Sequence, residues 1–234
     1  MKILAVSDEE SPYLYNPNAA QKLREYDLIL SCGDLKPEYL SFLVTLARCP
    51  VLYVHGNHDG SYAENPPEGC DCIEDKLVIY NGIRILGLGG CLRYREGAHQ
   101  YTEQQMRRRI RKLRLSLWRA GGVDIVVTHG PVQGVGDGQD NAHRGFQALR
   151  ELLDRYQPQY LLHGHVHLSY GTDTTRVRQY GSTTVINTSE RYALEMPDKV
   201  VSGKDINRLI WVNGAPKLPQ DDSPVMIDLR IHGQ

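Results

Sequence analysis

The chain has no long apolar run, no excess charge of either sign and no paired-cysteine pattern, and each absence removes a class of protein. No stretch of the 234 residues approaches the roughly 20 consecutive apolar residues that cross a bilayer, so no membrane partner is expected. Lys and Arg total 27 against 28 Asp and Glu, a formal net charge of -1, which gives neither a chain-wide attraction to nucleic acid nor a signature of disorder. Partners must therefore be argued from local features. The five cysteines, Cys32, Cys49, Cys70, Cys72 and Cys91, are odd in number and irregularly spaced, which points to a reducing, cytoplasmic setting and away from a disulfide framework. Cys70 and Cys72 have no second pair to complete a zinc knot and read as loop thiols. Met1-Lys2 leads directly into Ile3 to Val6, a run too short for a signal-peptide core, in keeping with the cytoplasmic expectation.

What the chain does have is a series of short apolar runs that end in polar residues. Hydrophobic residues make up 41%, enough for a substantial core, and the length suits one domain over 1–234. Strands are expected at Lys2 to Ser7, Leu28 to Ser31 and Val51 to Val54, with helices near Ala19 to Tyr26 and from Pro37 to about Ala47 between them. Asp34 follows Asp8 by 26 residues and Asn57 follows Asp34 by 23, each about one strand-helix-strand repeat, so the three strand ends return to one sheet edge. Asn81-Gly82 between Leu77 to Tyr80 and Ile83 to Leu88 predicts a hairpin. Thr102 and Gln105 predict a capping box at the start of a helix to about Arg119, with Met106, Ile110, Leu113 and Leu117 on one side. The arginines and lysine on its other faces could meet phosphate backbones, but opposite an apolar stripe they read first as a solvated face.

Further strands at Ile125 to Thr128 and Tyr160 to Leu162 flank a helix from about Phe146 to Tyr156. Beyond about residue 170 the character becomes β-rich, with runs at Thr174 to Gln179, Thr183 to Asn187, Arg191 to Met196, Leu209 to Val212 and Val225 to Ile231. A second sheet packed on the first, with helices outside, is the economical architecture. The tail carries no legible motif; dimerisation, or rimming a cleft, is the role considered for it.

The residues that leave these strand ends are Asp8, Glu10, Asp34, Asn57, His58, Asp59, His129, His165 and His167. In isolation the Asn57-His58-Asp59-Gly60 stretch reads as a turn, since Asn, Asp and Gly all favour turns. Four other strand ends that behave alike favour a reaction centre at the carboxyl edge of a sheet. Carboxylate, imidazole and amide oxygen together suit borderline-to-hard divalent cations such as Mn, Fe or Zn, and the set is too large for one metal.

In order, Asp8-Glu9-Glu10, Gly33-Asp34, Gly56-Asn57-His58-Asp59, His129 and Gly164-His165-Val166-His167 stand where the calcineurin-like metallophosphoesterase superfamily has D-x-H, GD, GNH[DE], H and GHxH. The chain resembles that superfamily over residues 1 to about 170. The resemblance implies an α/β fold, a four-layer αββα sandwich of two packed mixed sheets flanked by helices. It also implies a phosphoesterase that acts on a phosphodiester or small organic phosphate through two divalent metals, manganese first, with iron or zinc as alternatives. Asp8, Glu10, Asp34 and His167 would hold the first metal; Asp34, Asn57, His129 and His165 the second, with a bridging hydroxide as nucleophile. His58 would protonate the leaving oxygen, with Asp59 orienting its ring.

Glu10 departs from the family pattern, which has histidine there. A carboxylate lowers the charge of the cluster by one unit and favours hard cations such as Mn; alternatively Glu10 does not ligate and leaves the first site half made. His143 reads equally as a substrate contact or a helix cap, His55 and His163 as packed or ligand-supporting histidines, and Tyr13, Tyr15 and Tyr62 as candidate pocket walls. Asp137 and Asp140 lack the alternation of a calcium loop. Two alternatives to the enzyme remain, a metal-binding scaffold with little activity and a nuclease that uses the arginine-rich helix. A homo-oligomer is a further expectation.

Overall fold

The computed structural model describes residues 1–168, 175–199 and 207–212. Period-two alternation within the apolar runs decides the layers. In β1 (Lys2–Ser7), Ile3 and Ala5 face one way and Leu4 and Val6 the other, and all four are buried. The same split recurs in β2 (Leu28–Ser31) and β3 (Val51–Tyr53), so these strands are apolar on both faces, as a sheet covered on both sides requires. β1, β2 and β3 run parallel with the two-residue β4 (Asp71–Cys72), and β13 (Glu190–Glu195) pairs antiparallel with β1. The sheet order is β13-β1-β2-β3-β4.

Among the described residues the second sheet has seven strands. Its parallel centre is β6 (Ile83–Leu88), β9 (Ile125–Thr128), β10 (Tyr160–His163) and β12 (Thr183–Asn187). Antiparallel strands extend it, β11 (Val177–Tyr180) on one edge and β5 (Lys76–Tyr80) followed by β14 (Leu209–Trp211) on the other. A small separate ribbon joins β7 (Cys91–Leu92) to β8 (Gln100–Tyr101).

Ile3, Leu28, Leu30 and Leu52 of the first sheet interleave with Val78, Ile85, Ile125, Val127, Leu162 and Ile186 of the second to form the central core. On the outer face of the first sheet, Leu4, Ile29 and Val51 pack under α1 (Ala19–Leu23) and α2 (Pro37–Leu46). On the outer face of the second, Leu86, Val126, Leu161 and Val185 pack under α3 (Glu103–Lys112), α4 (Arg114–Arg119) and α5 (Gln147–Tyr156). The fold is the expected αββα sandwich. Each fully buried Leu or Ile contributes about 1.5–3 kcal/mol relative to exposure.

Local signals held with small shifts. Asn81 and Gly82 both adopt positive φ, 46° and 75°, as a two-residue turn between β5 and β6 requires. The capping box is present, with Gln105 N–H donating to Thr102 Oγ1 at 3.2 Å and Thr102 N–H to Gln105 Oε1 at 2.8 Å. The helix expected to run on to Arg119 instead breaks at Leu113, whose N–H bonds to the Ile110 carbonyl three residues back and tightens the turn. Leu113 and Leu117 are buried on either side of the break. The basic faces are only partly solvated. Arg107 pairs with Glu151, and Arg109 is buried, donating to Glu74 Oε1, Asp75 Oδ1 and the Gly89 carbonyl. The run expected at Val225 to Ile231 lies outside the described residues.

At the end of the sandwich where β9 begins, Asp124 clamps the start of β6. It accepts the backbone N–H of Arg84 at 2.8 Å, Arg84 Nε at 2.9 Å and Nη2 at 2.6 Å, and Lys199 Nζ at 2.8 Å. Burial alone would raise the Asp124 pKa, but the bonds and charges of Arg84 and Lys199 outweigh it and hold the carboxyl at about 2. A depressed folded-state pKa stabilises the fold above the ordinary Asp pKa and loses that contribution as pH falls towards 2. Urea unfolding should therefore show Asp124→Asn less stable than the wild type at neutral pH, the gap narrowing as pH drops from about 4 to about 2. A gap that stays constant across that range would contradict this assignment.

Candidate metal centre

The parallel strands of both sheets deliver their carboxyl ends to one edge. β1 ends at Ser7 and releases Asp8, β2 releases Cys32-Gly33-Asp34, β3 leads to Asn57, β9 releases His129 and β10 leads to His165. Three of these residues have left-handed backbone, Asp8 at φ 64°, Asp34 at φ 57° and His165 at φ 69°. Non-glycine residues adopt that region at a cost, and such residues gather at functional sites. The bend turns each side chain off the end of its strand.

Asp34, His129 and His165 come together, with one ligating atom from each lying within 4.8 Å of the others. His129 Nε2 is 3.3 Å from Asp34 Oδ2 and 3.1 Å from Asn57 Oδ1, while its Nδ1–H donates to the Cys32 carbonyl at 2.8 Å. That last bond fixes which ring nitrogen faces the cluster. His165 does the converse. Its Nε2–H donates to the Ala142 carbonyl at 2.7 Å, which leaves Nδ1 as the nitrogen with a lone pair to offer. The two rings stand 4.9 Å apart at 61°.

The electrostatics follow from crowding like and unlike groups in a buried place. Burial pushes Asp34 up, but the charge and hydrogen bond of His129, with the N–H of His58 at 2.8 Å, hold it at about 2. Burial pulls His129 down, and Asp34 beside it lifts it to about 9. Burial and the charge of His129 push His165 down to about 3, so that ring stays neutral. A protonated His129 thus supplies the positive charge that Asp34 and the Asn57 oxygen draw to this spot. A divalent cation would supply the same charge. Carboxylate, amide oxygen and two imidazoles with fixed tautomers form a donor set that fits such a cation.

The other three predicted ligands do not join this cluster. Asp8 is close, and its carboxylate accepts Ser7 Oγ–H at 2.6 Å and the His165 N–H at 2.8 Å. Burial raises its pKa. Glu10 turns towards Lys36, with Nζ 3.3 Å from Oε1, and His167 Nδ1 lies 3.0 Å from Glu9 Oε1. Glu10 and His167 are each engaged by a near neighbour.

Asp59 also departs from its expected role. Its side chain is buried and Oδ2 accepts the N–H of Gly56 at 2.7 Å and of Asp34 at 2.9 Å, so it straps the two loops together and does not orient His58. Burial raises it to about 6. The His58 side chain is 65% exposed, with Nε2 4.0 Å from Asp34 Oδ2, at the edge of a cleft of about 460 Å³ that Asp8, Glu10, Asp34 and Lys36 also line. Tyr62 is buried, donating to the Leu35 carbonyl at 2.5 Å, and so does not offer a pocket wall. His163 is a packed residue, one of the two readings of it, and stays neutral with its pKa pushed to about 4 by burial. His143 sits above the cluster, its ring 5.2 Å from that of His165, with Nδ1 bonded to Asp140 at 2.9 Å.

Sequence reasoning passed over the polar layer beneath the cluster. Ser7 Oγ lies 3.0 Å from Thr188 Oγ1, Thr188 Oγ1–H also bonds the His163 carbonyl at 3.0 Å, and Asn187 Nδ2 donates to the Val166 carbonyl at 2.6 Å. Through Thr188 and Ser189 the chain passes from β12 of one sheet to β13 of the other. The available signal was a small polar residue closing each apolar strand, at Ser7, Ser31 and Thr128.

Residues 1–193 match the calcineurin-like phosphoesterase superfamily domain, and the chain belongs to that family. The UPF0046 protein K07C11.7 of Caenorhabditis elegans is 25% identical over 225 residues, spanning 81% of this chain and 70% of that protein. The crystal structure of TT1561 of Thermus thermophilus superposes with a TM-score of 0.57 at 16% identity, covering 81% of this chain and 89% of that one. At that identity the likeness concerns the fold.

Gly56 gives this site a sharp test. A Cβ there would lie 2.0 Å from Asp34 Oδ1 and 2.6 Å from its backbone nitrogen, so any side chain must displace the central carboxylate. Gly56→Ala should weaken Mn binding about 10–100-fold in a calorimetric titration, by analogy with loss of a group that orients a ligand. Unchanged affinity would show that Asp34 is not where the cation is held.

Proposed function

We propose that the chain, as one domain over 1–234, is a metal-dependent hydrolase of phosphoric esters, acting on a phosphodiester or a small organic phosphate. The observation that carries this reading is the meeting of Asp34, His129 and His165, from two different sheets, beside a cleft that also holds an exposed imidazole. Asp34, Asn57, His129 and His165 would hold one divalent cation, manganese first. Asp8, with Glu10 and His167 released from Lys36 and Glu9, would hold a second next to it. Such cations polarise a phosphoryl oxygen and lower the pKa of a water.

The remaining work falls to the protein's own groups. Lys36, at the rim of the cleft, draws an anionic substrate in and, once Glu10 leaves it, pairs with a phosphoryl oxygen. His58 stands in solvent reach on the same side as Asp34 and protonates the departing oxygen. Asp59 keeps Gly56 and Asp34 at a fixed separation, so the His58 backbone N–H stays on Asp34 Oδ1 and the ring stays over the cleft. This differs from a ring held directly by a carboxylate, and it leaves His58 free to follow the leaving group.

A metal-binding scaffold is the second reading, favoured by the contacts that occupy Glu10 and His167. The two separate in one assay. Metal-stripped protein reloaded with Mn, set against a panel of phosphomonoesters, diesters and cyclic nucleotides, should turn over at least one class and lose that activity to a chelator. His58→Ala should keep its Mn content and lose roughly 10²–10⁴ in kcat. Mn bound at full stoichiometry with no turnover of any substrate would support the scaffold, and unaltered kcat in His58→Ala would remove that residue from the chemistry.

A further inference from the structure

A second group of ligating side chains lies apart from the Asp34 cluster. His55 follows β3, Glu74 lies between β4 and β5, and His99 precedes β8; one nitrogen or carboxylate oxygen from each falls within 4.8 Å of the others. All three residues are partly exposed, so an ion can reach them. The His55 and His99 rings are stacked, centroids 4.3 Å apart and planes 5° apart.

Glu74 is fixed before any ligand arrives. Its Oε1 accepts Arg109 Nη2 at 2.9 Å and the Tyr101 hydroxyl at 3.2 Å, and its Oε2 accepts the backbone N–H of His55 at 3.2 Å and bonds the His55 ring. The Cys72 thiol neighbours the same ring. The charge of Arg109 is shared with Asp75, whose Oδ1 accepts Nε at 2.7 Å. Two carboxylates therefore face one guanidinium, and the group retains negative charge when both rings are neutral.

We propose that His55, Glu74 and His99 bind a divalent transition-metal ion, zinc being the best match, at a site separate from the Asp34 centre. Two imidazoles and a carboxylate, with a thiol adjoining, are the donors zinc prefers, and three protein ligands leave room for a water. An ion held there would take the place of the hydrogen bond between the His55 ring and Glu74. The site's effect on the fold follows from its neighbours. The His55 carbonyl accepts Gly90 N–H at 2.7 Å and the Gly90 carbonyl accepts Gly130 N–H at 3.0 Å, so an ion here braces the strand ends that carry Asn57 and His129.

The test uses the full chain and zinc alone. His99 has left-handed backbone, φ 51°, which Asn tolerates, so His99→Asn removes the ring without straining the loop. Metal-stripped wild type, His99→Asn, His129→Ala and the double variant are equilibrated with zinc, desalted and assayed for bound metal, with circular dichroism confirming each fold. His99→Asn should bind one zinc fewer than wild type, and the double variant one fewer than His129→Ala. Equal zinc in wild type and His99→Asn, or in folded His129→Ala and the double variant, would overturn the proposal. Since the readout is stoichiometry, its failure leaves the phosphoesterase reading untouched, and loss of turnover leaves the zinc site untouched.

Discussion

The contact of Asp34 with His129 joins the two sheets at the place where neither can be apolar. In the central core between the sheets, Ile, Leu and Val predominate and interdigitate without direction. At the carboxyl edge the strands stop, and an acid from one sheet and a fully buried imidazole from the other come within 3.3 Å. An isolated buried charge would be costly, so each needs the other or a cation. The sandwich core sets the separation of the sheets, and that separation sets the gap these groups span. A metal held here would owe its place to how the two sheets are packed.

The arrangement also explains the concentration of unfavourable backbone. Asp8, Asp34 and His165 each adopt positive φ, a departure of order 1–3 kcal/mol for a residue held there by its surroundings. The surroundings are identifiable. Asp8 N–H donates to the Gly33 carbonyl, Asp34 N–H to Asp59, and His165 N–H to Asp8. The strained residues are thus tied to one another and to the neighbouring strand ends. Asp59, buried and raised to about 6, is the fastener whose loss would relax two loops at once.

Much of this was legible from the residue order. Short, nearly continuous apolar runs at β1, β2, β3 and β9 mark strands covered on both faces, and the polar residue after each run marks the common edge. Asn81-Gly82 and the Thr102–Gln105 box act over three or four residues, and both formed. What could not be read depends on partners distant in sequence. Nothing in Asp8-Glu9-Glu10 says that Glu9 meets His167 and Glu10 meets Lys36, or that Asp59 turns away from the ring beside it to bond two backbone amides. The break at Leu113 was hidden because the apolar spacing on either side of it continues. His55, Glu74 and His99 lie in three separate connections, and no spacing rule links them.

The central claim is that Asp34, His129 and His165 grip a divalent cation. Anomalous diffraction from crystals soaked in Mn tests it most directly. The account predicts a peak within coordination distance of Asp34, Asn57, His129 and His165, with both histidines still bonded to the Cys32 and Ala142 carbonyls. Anomalous density absent from this cluster at saturating Mn, or a cation held by other residues of the cleft while His129 keeps its contact with Asp34, would contradict it.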